Sequence, residues 1–312
     1  MVALVVLPLV VVGYQVVGAA IDSKYARAAS YVDVGGHRVH IECTGSSGAR
    51  TVVLEAAAGG VAAYWDRVAD ALDDRFRVCS YDRAGLGWSE GPVEDLRAAG
   101  ETLHGALARE TGPFTLVGHS LGAIHVRAYQ QRYPDEVSAL VLVDGSHPDQ
   151  LKRSPELAER ARSAEAEWAG LMWGGRLGLT RSFFDFGGEL DFHALPHGSA
   201  ERVEALWSRG GHLSGVLDEQ RASARLLSDL SDRSLGDLPL TVVSAGTGSL
   251  EGWDDMQADL ARLSSNTHHV TIADADHMSL LFDPVHADRT AQLIAKRVEQ
   301  QSDDGHNSRG PA

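Results

Sequence analysis

The chain has 312 residues, enough for one large hydrophobic core plus an insertion. Its 43 acidic side chains against 28 basic ones give a formal net charge of −15, which argues against a nucleic-acid-binding surface. Two cysteines, Cys43 and Cys79, are too few for a disulfide scaffold and lack metal-ligand spacing; with no G-x-x-x-x-G-K loop and no H-E-x-x-H helix, no metal or cofactor is implied. In chain order, residues 1–21 form a hydrophobic segment, apolar from 2 to 21 except for Tyr14 and Gln15. Such a stretch is long enough to span a bilayer as a helix. It predicts a membrane anchor, the side of the membrane left open. The alternative is a signal peptide and a secreted protein, since Gly18-Ala19-Ala20 are small.

Residues 22–30 read as a polar linker. Residues 31–34 and 38–41 alternate in polarity about Gly35-Gly36, the pattern of a hairpin. A buried strand is expected at 51–54, ending in Glu55-Ala56-Ala57-Ala58-Gly59-Gly60, where backbone can approach a ligand closely. A helix (61–72), a strand (76–81) and a helix (93–111) follow, then strand 114–117, helix 123–132 and strand 139–143, which stops at Asp144. Residues 148–237 break this alternation and read as a cap or lid, helical near 155–171 and 200–207. Strand 238–245, helix 254–263, strand 269–272 and helix 285–298 complete the chain, and the polar tail 301–312 is expected to be disordered. The core is therefore 31–147 with 238–300. Its alternation predicts an α/β fold: a mostly parallel sheet with helices on both faces, binding ligands at the carboxyl ends of its strands. Ala57, Ser120, Asp144 and His277 all fall just after predicted strands.

The most specific motif is Gly118-His119-Ser120-Leu121-Gly122, a G-x-S-x-G elbow between a strand and a helix. A serine at such an apex is held in a sparsely populated backbone conformation. The flanking glycines remove the Cβ atoms that would clash. Two further stretches stand beside it: Tyr81-Asp82-Arg83-Ala84-Gly85-Leu86-Gly87-Trp88-Ser89, and Asp276-His277 ahead of the last helix. On these three stretches the chain from 31 to 298 resembles the α/β-hydrolase family. It is similar in detail to the serine esterase and lipase-like branch that carries an N-terminal hydrophobic segment.

The resemblance implies an α/β-hydrolase fold whose cap, 148–237, covers the catalytic edge. It also implies serine-hydrolase chemistry on a small-molecule, apolar carboxylic ester. Ser120 would be the nucleophile and His277 its base. For the acid, the loop after the penultimate strand lacks the usual carboxylate, so Asp144 is favoured over Glu251, Asp254 or Asp255. The oxyanion donors would be the N–H groups of Leu121 and Ala57, with Glu55-Ala56 standing where relatives often have His-Gly. A carbon–carbon bond hydrolase with the same triad and a non-catalytic binding module stay open. An aspartate-nucleophile activity is disfavoured by Ser120. Asp82 and Arg83 read as buried, ion-paired structural residues, and His119 as a packing or orienting residue. Cys43 and Cys79 fall on strands that neighbour each other in this fold; buried thiols are favoured over a disulfide. The cap aromatics Trp168, Trp173, Trp207, Phe183, Phe184, Phe186 and Phe192 either line an acyl pocket or form the cap's own core. Gly174-Gly175, Gly187-Gly188 and Gly210-Gly211 are candidate hinges.

Overall fold

In a computed structural model the chain is described over residues 2–28, 30–186, 194–230 and 233–307, for 2–10, 23, 27, 28 and 301–307 by the backbone alone. Phe192, Gly187-Gly188 and the tail end 308–312 lie outside the described residues. Helix α1 (Val2–Ala28) leads into the hairpin β1 (Tyr31–Val34) and β2 (His37–Thr44), turned by Gly35 and Gly36, both at positive φ. Next come β3 (Thr51–Glu55), α2 (Asp66–Asp70), β4 (Arg77–Tyr81), α3 (Leu96–Ala106), β5 (Phe114–His119), α4 (Gly122–Arg132) and β6 (Val137–Val143). The cap holds α5 (Gln150–Arg153), α6 (Pro155–Arg176), α7 (Leu179–Asp185), α8 (His197–Trp207) and α9 (Gly210–Asp229). The core resumes with β7 (Leu240–Ala245), α10 (Trp253–Ala261), β8 (Thr267–Ile272), α11 (Ser279–Phe282) and α12 (Pro284–Asn307).

The eight strands form one sheet in the order β1-β2-β4-β3-β5-β6-β7-β8. β1 and β2 are antiparallel to their neighbours, and every pairing from β4 to β8 is parallel. Both faces of the centre are buried, so its strands are continuous apolar runs. Val52, Leu54, Val117, Val141 and Val243 point into one core, and Val53, Leu116, Leu140 and Val242 into the other. That split is the two-residue period of a strand sorting neighbours to opposite faces. Each such side chain is worth about 1.5–3 kcal/mol of burial.

Several boundaries move from expectation. The helix expected over 61–72 is a 3₁₀ turn, Ala62–Trp65, followed by α2. The helix expected from 93 starts at Leu96, because the Asp95 carboxylate caps it by accepting from the Ala98 N–H at 2.8 Å. α12 continues to Asn307, into the stretch expected to be disordered. Cys43 and Cys79 are a disulfide, not thiols: β2 and β4 set them directly opposite each other, with Cα atoms 4.1 Å apart.

The N-terminal segment also differs. α1 is helical through 22–28, which replaces the expected linker, and its second half packs on the cap. Tyr14 donates to Asp185, Gln15 to the Gly175 carbonyl and Tyr25 to Glu201, and Asp22 forms a buried ion pair with Arg181. Gly18 makes room for this: a Cβ there would lie 2.3 Å from the Arg181 guanidinium. Among the described residues no helix is long and apolar enough to cross a membrane.

The cap aromatics divide by position. Trp168 and Trp207 pack at 5.6 Å beside Met172, Leu213 and Leu217 as a small core of the cap. Trp173, Phe183 and Phe186 face outward.

Candidate active site

The turn from β5 to α4 shows why its sequence is G-x-S-x-G. Ser120 sits at φ 53°, a left-handed conformation costly for a side-chain-bearing residue. A Cβ on Gly118 would lie 2.5 Å from the Gly122 carbonyl oxygen, and one on Gly122 would lie 2.5 Å from the Glu55 carbonyl oxygen and 2.8 Å from that of Ala56. Both are impossible contacts with backbone. The glycines thus let the strand, the helix and the loop after β3 meet around the serine. The strain is anchored on both sides: Ser120 N–H donates to the Val143 carbonyl, and its own carbonyl accepts from Ser146.

Asp144 ends β6 in a second left-handed residue, φ 43°, a conformation Asp tolerates better than most. Its carboxylate is buried and fully engaged. Oδ2 lies 2.6 Å from His277 Nδ1, while Oδ1 accepts from the Trp253 indole N–H at 2.9 Å and the Ala245 N–H at 3.2 Å. Burial alone would raise this carboxyl's pKa, but the hydrogen bonds from His277, Trp253 and Ala245 hold it below its ordinary value. Glu251, Asp254 and Asp255 are exposed, the last two in the first turn of α10. Trp253 was not expected at the site.

His277 is half-buried after β8. His119, fully buried beneath it, is 4.5 Å away ring to ring and donates from Nε2 to the His277 carbonyl at 3.0 Å. Burial and the neighbouring His277 push the His119 pKa down to about 3, so this ring is neutral. Its Nδ1 has no hydrogen-bond partner among the described residues.

Ser120, Asp144 and His277 line one cavity of about 240 Å³, with Ser146 from the turn after β6, Gln150 from the start of the cap, and Thr247, Ser249 and Trp253 from the β7 side. A second cavity of about 220 Å³ shares Ser120, Ser146, Gln150, Leu157 and Arg160 with the first; its other walls include Leu121, Leu151, Ala161, Ala164 and Leu227, with Gln220 and Ser223 from α9. Among the described residues none of the cap aromatics lines either cavity, which favours the reading of Trp168 and Trp207 as the cap's own core over an aromatic acyl pocket. Among the described residues, the N–H groups of Ala57 and Leu121 carry no hydrogen bond from within the chain.

Asp82 and Arg83 are ion-paired and buried. Asp82 accepts from His40, Ala62 N–H and Trp88 N–H; Arg83 bridges Glu55 and Glu219. Glu219 comes from cap helix α9 and was not expected in this cluster.

A sequence profile for the alpha/beta hydrolase fold matches residues 50–284. An uncharacterised protein of Schizosaccharomyces pombe is 25% identical over 300 residues, covering 84% of this chain and 53% of that protein. A Klebsiella pneumoniae protein, RutD, named as a candidate carbamate hydrolase, is 38% identical over 102 residues, 31% of this chain and 38% of its own length. The chain thus spans about half or less of the curated relatives it matches. Among solved structures, the epoxide hydrolase VrEH1 of Vigna radiata superposes with a TM-score of 0.67 at 16% identity, covering 87% of this chain and 98% of that one.

Proposed function

The chain belongs to the α/β-hydrolase fold family, and on that premise we propose that it is a serine hydrolase cleaving small carboxylic esters through an acyl-enzyme. The reading is carried by one arrangement: a strained Ser120 on a cavity shared with His277, whose Nδ1 meets the Asp144 carboxylate at 2.6 Å. Ser120 Oγ attacks the ester carbonyl while His277 Nε2 takes its proton. Asp144 keeps the proton on Nδ1 and stabilises the imidazolium. The N–H groups of Ala57 and Leu121 hold the oxyanion. Collapse of the tetrahedral intermediate expels the alcohol, protonated by His277, and water then releases the acyl group by the same steps.

The two cavities give this reading a substrate shape. The leaving group must lie where His277 can protonate it, so the cavity with Thr247, Ser249 and Trp253 takes the alcohol. The acyl group takes the cavity walled by Leu151, Ala161, Ala164 and Leu227, which suits a short apolar chain. The test is a panel of p-nitrophenyl esters from acetate to palmitate on the wild type and Ser120→Ala. Hydrolysis should favour the short acyl chains and vanish in the variant. Equal turnover by the variant contradicts the reading.

We further read the N-terminal segment as the site of membrane attachment. Of the eleven exposed large apolar side chains among the described residues, ten lie on α1 or between Leu171 and Phe186 of the cap, Phe186 being 89% exposed. Four of them, Val12, Val16, Val17 and Ile21, belong to the apolar run of residues 2–21. Flotation of the full chain with phosphatidylcholine vesicles, against a form lacking residues 1–21, tests this. Full-length protein that stays at the bottom of the gradient contradicts it.

A further inference from the structure

Resting on the serine-hydrolase reading above, we propose that Arg83 and the cap's Glu219 are positioning residues that set the direction of the Ala57 N–H, the oxyanion donor of the loop after β3. Arg83 is buried, and all five of its N–H donors are committed. Nε and Nη2 meet the two oxygens of Glu219 at 2.8 and 3.0 Å. Nη1 meets Glu55 at 2.5 Å and the Ala56 carbonyl at 2.7 Å, and Nη2 meets the Ala57 carbonyl at 2.8 Å.

The last two bonds fix both peptide groups that flank the Ala57 Cα. In a trans peptide the C=O and the following N–H point in opposite directions. A guanidinium holding the Ala56 carbonyl therefore turns the Ala57 N–H away from itself. Only a planar, rigid fork can grip two successive carbonyls and two carboxylates at once.

Glu219 sets the angle of that fork. Its bidentate pairing fixes rotation about the Arg83 side chain, and its Oε2 also accepts from the Gly59 N–H at 2.6 Å, two residues beyond Ala57. Glu219 stands on α9, the helix that lines the acyl-side cavity with Gln220, Ser223 and Leu227. One cap helix thus walls the acyl site and seats the oxyanion loop. This explains a buried carboxylate at Glu219, which a packing role alone would not call for.

The test uses the full chain, with Glu219→Gln and Arg83→Lys. Glu219→Gln keeps the shape but puts an amide NH₂ against either Arg83 or the Gly59 N–H. Arg83→Lys keeps the charge and loses the fork. In both, kcat for p-nitrophenyl acetate should fall about ten- to a hundredfold, below the full ~10²–10³ of a deleted oxyanion donor. KM should stay within about twofold. Affinity for a trifluoromethyl ketone, which binds as an oxyanion, should fall by the same factor as kcat/KM. A folded variant that keeps kcat, or that changes KM alone, overturns the proposal. So does failure of both variants to fold, which makes the cluster purely structural. Fluorophosphonate labelling of wild-type Ser120, measured first, decides the serine-hydrolase reading separately; a labelled wild type with unaffected variants overturns the positioning role alone.

Discussion

Asp144→Asn is the substitution whose effect follows most fully from the geometry. The asparagine backbone tolerates φ 43° as aspartate does, so the turn after β6 should survive. The side-chain orientation is decided by its neighbours. Oδ1 faces two donors, the Trp253 indole N–H at 2.9 Å and the Ala245 N–H at 3.2 Å, so the amide oxygen must take that position. The amide NH₂ is then directed at His277 Nδ1, where the carboxylate oxygen stood at 2.6 Å. A donor there forces Nδ1 to accept and moves the imidazole proton to Nε2. That nitrogen can no longer take the proton of Ser120. The imidazolium also loses its counter-charge. A triad with the wrong tautomer loses on the order of 10⁴ in kcat, which is about 5.5 kcal/mol of barrier. The assay is kcat on p-nitrophenyl acetate, with thermal unfolding to show the variant is folded. Glu251→Gln, Asp254→Asn and Asp255→Asn should each cost about tenfold or less, since these carboxylates are exposed and touch only a loop or a helix end. A folded Asp144→Asn that retains kcat within about tenfold of wild type refutes the assignment of Asp144 as the acid.

Three further outcomes are expected. Burial alone would lower the His40 pKa, but the carboxylates of Asp82 at 2.8 Å and Glu42 at 3.1 Å raise it to about 9 from an ordinary 6.5. Stability from a group whose folded pKa is raised is complete below the unfolded pKa and lost as pH rises through the folded one. The melting-temperature gap between wild type and His40→Gln should therefore narrow from pH 6.5 to 9.5, and a constant gap contradicts this. Gly122→Ala drives a Cβ into the Glu55 and Ala56 carbonyls and should lower kcat at least tenfold with KM little changed, whereas Gly100→Ala, open within 4 Å, should be neutral or stabilising by up to ~1 kcal/mol. Reducing Cys43–Cys79, which closes a loop of 36 residues, should lower stability by about 2–4 kcal/mol in denaturant titration; no change under reductant contradicts the pairing.

What the sequence revealed and concealed has physical causes. The elbow is legible because its steric demand is local: Gly118 and Gly122 clash with backbone only a few residues away or on the adjacent strand. Asp144 and His277 follow from strand order, since Asp144 directly follows β6 and His277 lies in the loop after β8, at the same end of two parallel strands. Trp253 escapes because its indole reaches a carboxylate 109 positions earlier, and a Trp opening a helix reads as packing. Glu219 escapes for the same reason, 136 positions from Arg83, because no local pattern fixes how a cap helix registers on the core. Trp173, Phe183 and Phe186 carry the same composition whether they face inward or outward. Cys43 and Cys79 pair because β2 runs antiparallel to β4, a register that only the folded sheet sets.

The most direct test of the central claim is to treat the full chain with a fluorophosphonate probe and locate the adduct by peptide mass spectrometry. One adduct is expected, on the peptide that contains Ser120, and it should be lost in Ser120→Ala and slowed in Asp144→Asn. An adduct on another residue, or labelling that persists in folded Ser120→Ala, contradicts a serine nucleophile at the β5–α4 turn.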